Sequence, residues 1–414
     1  MAPTKRYLFT FLSLLVGGSA FAQGHDRWHQ TFRIEIRNQV VSNDWVNLDL
    51  ADLNGDGQPE LLYADPYWHA GGARGETGRV MIRDGADGTL LFQQLGLQSY
   101  ARYGTKARFI DDIDGDGVTD FVVTDQRSFN DYLYLYSGAT FQRINREFGF
   151  PDFIDVISVG DHTGDGITEL VAVRSNYAVG PALEMLDGAT GDVLKRRELE
   201  DVSYSLARLG DLDGDGHPEI GFFRSFILWG DEESSILRGT NLRPLPLFSG
   251  EVGRSTRIAD AGDVDGDGVP DILAGDQYFD HAGIDGSGIA KVVSGTDGSL
   301  LALHYGAASD FVGSILGKLG DVDGDGFGDY MIGSSRMTYD YGYGNHAGSV
   351  AIISGATHTE QSRFYAQADN AHSARMVVAS PATATDGPTF GVVEPTYSIF
   401  QPMITRLSLF TYGQ

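Results

Sequence analysis

The chain has 414 residues, with 57 Asp or Glu against 30 Lys or Arg, a formal net charge of −27, 55 glycines and no cysteine. Such acidity disfavours nucleic acid and anionic membranes as partners. The missing thiol excludes disulfides and a lipid-modified N-terminal cysteine, so bound metal and a large core are left as stabilisers of a secreted chain.

Residues 1–22 read as a cleavable secretory signal. Lys5 and Arg6 form the charged start, YLFTFLSLLVGG an apolar run too short to span a bilayer, and Ala20-Phe21-Ala22 a small-residue cleavage site leaving Gln23 first. The stretch TFRIEIRNQVV (31–41) then reads as a strand without a sheet of its own.

Six copies of a nine-residue acidic loop follow, starting 60, 49, 50, 52 and 58 residues apart. Four carry acids at positions 1, 3, 5 and 9: Asp112, Asp114, Asp116, Asp120; Asp211, Asp213, Asp215, Glu219; Asp263, Asp265, Asp267, Asp271; and Asp321, Asp323, Asp325, Asp329. Two are degraded: Asp52, Asn54, Asp56, Glu60 and Asp161, Thr163, Asp165, Glu169. Alternate side chains of a curled loop converge on one point, and four oxygens there suit a hard divalent cation, above all Ca2+. Glycine at position 6 permits the sharp turn. Up to six Ca2+ ions are expected, the tighter ones at the four complete loops. An EF-hand needs a glutamate at position 12; Tyr63, Val123, Ala172, Phe222, Ala274 and Ile332 stand there instead, and strand-like segments follow each loop. The remaining alternative is a set of metal-free Asp/Gly hairpin turns.

Each unit repeats a second signal, a hydrophobic strand ending in a glycine turn, as in YLYLYSGAT (132–140) and SVAIISGAT (349–357). One unit therefore reads strand A, acidic loop, strand B, variable loop, strand C, glycine turn, strand D. Four antiparallel strands that cannot bury their own faces describe a propeller blade. Residues 23–414 are expected to form one all-β domain, with blades at about 45–97, 100–148, 151–199, 203–249, 254–306, 310–366 and 372–414, the last completed by residues 30–41. In that last copy Ala382 and Ala384 replace the first two ligands, so no metal is expected. The expected fold is thus a seven-bladed β-propeller closed by the N-terminal strand; the alternative is six blades plus a tail.

These residues resemble the FG-GAP repeat of integrin α-subunit propellers and of many secreted bacterial proteins. The best unit joins Phe311-Val312-Gly313, GDVDGDGFGDY (320–330) and Ile332-Gly333-Ser334. The resemblance covers nearly all of residues 30–414. Its calcium core is specific; the FG and GAP ends are poorly kept, with Ala64-Asp65-Pro66, Val123-Thr124-Asp125 and Ala274-Gly275-Asp276 in place of GAP. It implies calcium at the loop positions named above, with acidic loops and C–D turns on one face of the ring and B–C loops on the other. It does not imply membrane anchoring.

On the second face, long B–C loops of blades one, five, six and seven supply Tyr67, Trp68, His69, Tyr278, Phe279, His281, Tyr339, Tyr341, Tyr343, Tyr397 and Phe400. In a seven-membered ring these form one aromatic arc, suited to a glycan or a protein loop. The function expected is a secreted calcium-binding adhesion or ligand-binding module, as a monomer. The alternative is a calcium-dependent polysaccharide lyase or hydrolase with His69, His281 or His346 as base. No HExxH or GxSxG motif is present, and the tryptophans Trp28, Trp45, Trp68 and Trp229 lack the blade period of a quinoprotein propeller.

Overall fold

The computed structural model describes residues 22–23, 28–38, 47–69, 75–125, 132–144, 153–175, 180–200, 204–224, 234–252, 255–334, 348–365, 376–380, 389–396 and 403–412. Six sheets arise from the six acidic units. Blade three shows the plan: Phe153–Ser158, Leu170–Arg174, Ala182–Leu186 and Val193–Glu198 pair antiparallel in sequence order. Blade one (Asn47–Ala51 to Leu90–Leu95), blade two (Ala107–Ile110 to Arg143–Ile144), blade five (Arg257–Gly262 to Leu300–Tyr305) and blade six (Val312–Gly320 to Glu360–Tyr365) follow it. The molecule is an all-β propeller of antiparallel blades built on a four-stranded plan, from which blades four and six depart.

Burial explains the sequence pattern. Strands B and C read as continuous apolar runs because both their faces are covered by neighbouring blades: Leu170–Arg174 and Ala182–Leu186 are buried at every position. Val193–Glu198, at the rim, is almost wholly exposed and carries charge. Side chains from adjacent blades interleave, so that Ile157, Val171, Val173 and Leu183 of blade three share one core with Tyr204, Leu206, Phe222 and Leu237 of blade four.

Blade four departs from the expected plan. It has three strands, Tyr204–Arg208, Ile220–Arg224 and Ser235–Leu237. Pro244 makes a single bridge to Leu237, and Pro246 opens a short 3-10 turn (Pro246–Phe248) running into Ser249–Val252. A proline has no N–H to give a ladder, so the fourth strand is not continued. Phe248 and Val252 instead plug the core towards blade five.

The blades built from acidic units number six, as in the six-blade alternative. The ends of the chain, however, are not a loose tail. Met376–Ser380, Thr389–Thr396 and Met403–Tyr412 pair with Trp28–Asn38 in a further four-stranded sheet, with Trp28 opposite Tyr412 and Asn38 opposite Met403. Its strand Met376–Ser380 lies beside both Val312–Gly320 and Asn47–Ala51. Ala382 and Ala384 lie outside the described residues. Ala22–Gln23, straddling the expected cleavage point, pairs with Glu360–Tyr365 as a fifth strand of blade six.

The inner strands are tied by buried polar groups around the axis. The Asp155 carboxylate takes Arg108 at 2.8 Å and Lys106 at 3.4 Å from blade two, and the Leu206 N–H at 3.1 Å from blade four. Burial opposes its ionisation, but Arg108 and Lys106, with the backbone N–H groups of Leu206 and Val156, outweigh it and hold the carboxyl below its ordinary range. Removing one partner of such a buried set strands the other charges, at a cost of about 3–5 kcal/mol. Asp155→Ala should therefore lower the urea midpoint sharply. Arg208→Ala, which breaks a half-exposed pair with Asp111, should cost less than about 1 kcal/mol; equal losses would contradict the axial role of Asp155.

Candidate metal and ligand sites

The acidic loops are shaped by their own side chains before any ion is considered. In every loop the position-1 aspartate accepts the N–H groups of the glycines at positions 4 and 6, as Asp112 does from Gly115 and Gly117 at 2.7 Å each. Those glycines have φ of 83° and 86°, the left-handed region that residues with a Cβ avoid. The position-5 acid takes the position-7 N–H, as Asp267 does from Val269 at 2.9 Å. Short Asx turns of this kind fix a loop by local hydrogen bonds.

The position-9 acid ties the loop to the blade. Asp120, Asp271 and Asp329 are buried; one oxygen accepts the position-2 N–H at 2.8 Å, and the other accepts the N–H of the C–D turn glycine, Gly138, Gly295 or Gly355, at 2.9 Å. A Cβ on Gly138 or Gly295 would stand 1.9 Å from the carbonyl oxygen at position 8 of the loop. That close approach accounts for the glycine recurring at the end of strand C. The turn contributes more: Ser137, Thr240 and Thr296 donate hydroxyl hydrogen bonds to Asp116, Asp215 and Asp267. Sequence reasoning noted the glycine turn but missed these donors; their signal was a Ser or Thr directly beside Gly138, Gly239 and Gly295.

The structure brings one oxygen each of Asp211, Asp213, Asp215 and Glu219 within 4.8 Å of one another. Three-acid groups of the same tightness form at Asp112, Asp114, Asp120; at Asp161, Asp165, Glu169; at Asp263, Asp265, Asp271; and at Asp321, Asp323, Asp325. Asp116, Asp267 and Asp329 belong to these loops but not to the tight groups. In the loop at Asp52 no such group forms among the described residues: the Asn54 amide donates to Asp56 at 3.2 Å and to Glu60 at 3.1 Å, filling the space between them. In the loop at Asp161 the Thr163 hydroxyl likewise donates to Glu169.

The donor set fits a hard cation best at the loop of blade four. Glu219 Oε1 is buried there with no hydrogen-bond partner among the described residues. An unpaired buried carboxylate oxygen facing three other acids is costly unless a positive charge joins it. Arg238 lies 3.1 Å from Asp213 and supplies part of that charge. Burial, opposed by backbone hydrogen bonds and reinforced by neighbouring loop acids, raises Glu60 and Glu219 to about 7 and Asp120, Asp271 and Asp329 to about 6.

Of the aromatic arc, Tyr67, Trp68, His69, Tyr278, Phe279 and His281 fall within the described residues; Tyr339, Tyr341, Tyr343, Tyr397, Phe400 and the candidate base His346 lie outside them. Trp68 is half-buried, with the Arg79 guanidinium over its ring and the N–H groups of Thr77 and Gly78 on its carbonyl. Arg102 covers Tyr67. These two rings therefore order their own loop. Blade five differs. Tyr278 is 47% and Phe279 38% exposed. His281 stacks on Tyr305 at 3.8 Å, and Tyr278 meets the edge of Phe311. Tyr305, at the end of strand D, completes this patch; its position outside the B–C loop hid it in the sequence.

A polar cavity of about 280 Å³ lies between Asp49, Arg108, Asp111, Ser158 and Arg208, at the first strands of blades one to four. Burial pushes Asp49 up to about 6 there, against the N–H groups of Phe109 and Leu50 and the charge of Arg108. Among the described residues no helix is long and apolar enough to cross a membrane.

No protein-family model matches the chain, and no curated protein matches it. Among solved structures, a chain from "Crystal structure of BBS1N in complex with ARL6DN, soaked with lead" is similar over 94% of this chain and 97% of its own length, at 12% identity and a TM-score of 0.52. At that identity the likeness shows the propeller fold and nothing of its chemistry.

The raised position-9 acids set a pH dependence. In the unfolded chain they titrate near about 4. The metal-free native state therefore binds extra protons between about pH 4 and pH 7, and its stability falls as pH rises through that window. Metal-free protein should melt higher at about pH 5.5 than at about pH 8 in calorimetry, and excess Ca2+ should remove or reverse the difference. A metal-free melting temperature that climbs towards pH 8 would contradict the strained acids.

Proposed function

We propose that the protein is a secreted, calcium-stabilised β-propeller that binds a glycan or a protein. Its fold is that of many ligand-binding modules, and the similar solved propeller is described in a complex with a partner. The observation that carries the metal reading is the four-acid cluster of blade four with its unpaired Glu219 oxygen. Four further loops have the same shape. Calcium at these points would satisfy the position-9 acids and pin each loop to the glycine turn of its own blade. The unoccupied alternative, plain Asp/Gly turns, is favoured only at Asp52, where Asn54 already neutralises the centre.

The FG-GAP relationship and secretion belong to the same proposal. Both rest on the loop pattern and the N-terminal signal. We further propose that the sheet built from both chain ends acts as a seventh blade. Its strand Met376–Ser380 sits between the inner strands of blades six and one, and pairing the two ends removes open sheet edges. Binding is assigned to the exposed blade-five aromatics Tyr278, Phe279 and Tyr305, whose flat faces and neighbouring His281 suit sugar rings or a partner's side chains.

Ca2+ at about 100 times its dissociation constant should add about 2.7 kcal/mol per occupied site. A chelator should accordingly lower the melting temperature, and isothermal titration should count about five sites. Asp211→Asn should remove one site and leave the fold intact. If calcium leaves the melting temperature unmoved, the metal reading fails. On a glycan array, Tyr278→Ala should lose binding with an unchanged melting temperature; retained binding would move the ligand surface elsewhere, and release of product would favour the lyase or hydrolase.

A further inference from the structure

The rim between blades three and four carries a basic groove on an otherwise acidic molecule. One wall is the outermost strand of blade three, Val193–Glu198, which turns Lys195 and Arg197 to the groove; the other is Asn241–Pro244, with Arg243. The cavity between them measures about 580 Å³. It exists because blade four shows no fourth strand among the described residues: Pro244 and Pro246 divert the chain into a 3-10 turn.

The cations here are mostly not neutralised. Arg196 faces away, onto Glu184. Lys195 and Arg197, two residues further apart along the strand and so on its other face, reach across the gap. Lys195 donates to the Thr240 carbonyl, and Arg197 to that of Leu242 at 3.5 Å while lying over the Phe222 ring. Arg243 is exposed. None of these three pairs with a carboxylate among the described residues. In a chain of net charge −27, three cations gathered without acidic partners form a local reversal of field that draws anions. Two side chains at i and i+2 of a strand repeat about every 7 Å, so the strip matches a linear polyanion better than a single ion.

The geometry points to an acidic polysaccharide as the occupant, with uronate carboxylates held by Lys195, Arg197 and Arg243. The guanidinium fork suits a carboxylate. The rest of the lining suits a sugar: Asn241 uses its Oδ1 on the Arg243 N–H, leaving amide hydrogens for hydroxyls, and exposed Pro244 offers an apolar face. A peptide strand would add through its main chain to the outer edge of Val193–Glu198, whereas these cations project from the sheet face, where they meet anionic side groups of a ligand. This site lies apart from the blade-five aromatics and stands or falls independently of them.

The test uses the calcium-loaded chain and a hyaluronan oligosaccharide, an alternating uronate polymer, in isothermal titration. Binding is expected in about 50 mM NaCl and should weaken severalfold in about 500 mM. Lys195→Glu with Arg243→Glu should reduce affinity at least about tenfold at an unchanged melting temperature; Lys195→Gln with Arg243→Gln serves if the charge reversal melts early. A neutral cello-oligosaccharide should not bind. The proposal is overturned if hyaluronan fails to bind at low salt, if the double variants bind it as well as the parent, or if polyglutamate or the neutral sugar binds as tightly.

Discussion

Everything in this molecule hangs on how many carboxylates can be packed at the end of a strand without the strand coming apart. Each acidic loop places four acids or near-acids in nine residues, and the last of them is buried at the start of strand B. The protein handles the repulsion in layers. Backbone N–H groups of the loop absorb the position-1 and position-5 charges, and the position-2 N–H, joined by the C–D turn glycine where position 9 is an aspartate, absorbs the position-9 charge. What remains, a knot of oxygens within 4.8 Å, is the part that backbone donors cannot reach and that a cation completes.

That arrangement makes loop and blade one mechanical unit. Where the position-9 acid is an aspartate (Asp120, Asp271, Asp329) it joins the acidic loop to the turn that follows strand C, so fixing the loop also fixes the far hairpin of the same blade. The glycine of that turn is demanded by the carbonyl pressed against it, at 1.9 to 2.3 Å from any added Cβ across the six blades. Between blades, a different device operates. Apolar faces interleave, and Asp155 reaches into blades two and four through Arg108, Lys106 and Leu206. Loop occupancy and ring integrity are thus supported by separate interactions, and a damaged loop need not open the ring.

The repeat, the strand order and the antiparallel pairing were legible because the acidic loop marks each blade and the glycine turn marks strand C. The pairing of Trp28–Asn38 with Met403–Tyr412 followed from two strands that lacked partners. The three-stranded blade four was not anticipated: Pro244 and Pro246 were visible, but the apolar LPLF run beside them reads equally well as a strand. The metal groups were legible in composition and only partly in geometry. Spacing could not reveal that Asn54 would turn its amide inward, or that Asp116 and Asp267 would spend an oxygen on Ser137 and Thr296. The aromatic arc was read from loop length alone, which cannot separate a ring that orders its own loop, as Trp68 does beneath Arg79, from one left open to solvent, as Tyr278 is.

The central claim concerns ions at the acidic loops, and crystals soaked in calcium test it most directly through anomalous scattering collected at long wavelength. The account predicts peaks inside the loops headed by Asp112, Asp161, Asp211, Asp263 and Asp321, the peak at Asp211 lying within bonding distance of Glu219 Oε1, and none at the Asp52 loop. Loops that keep this conformation while showing no peak would mean that the carboxylates serve as turn-formers alone, and the calcium account would be wrong.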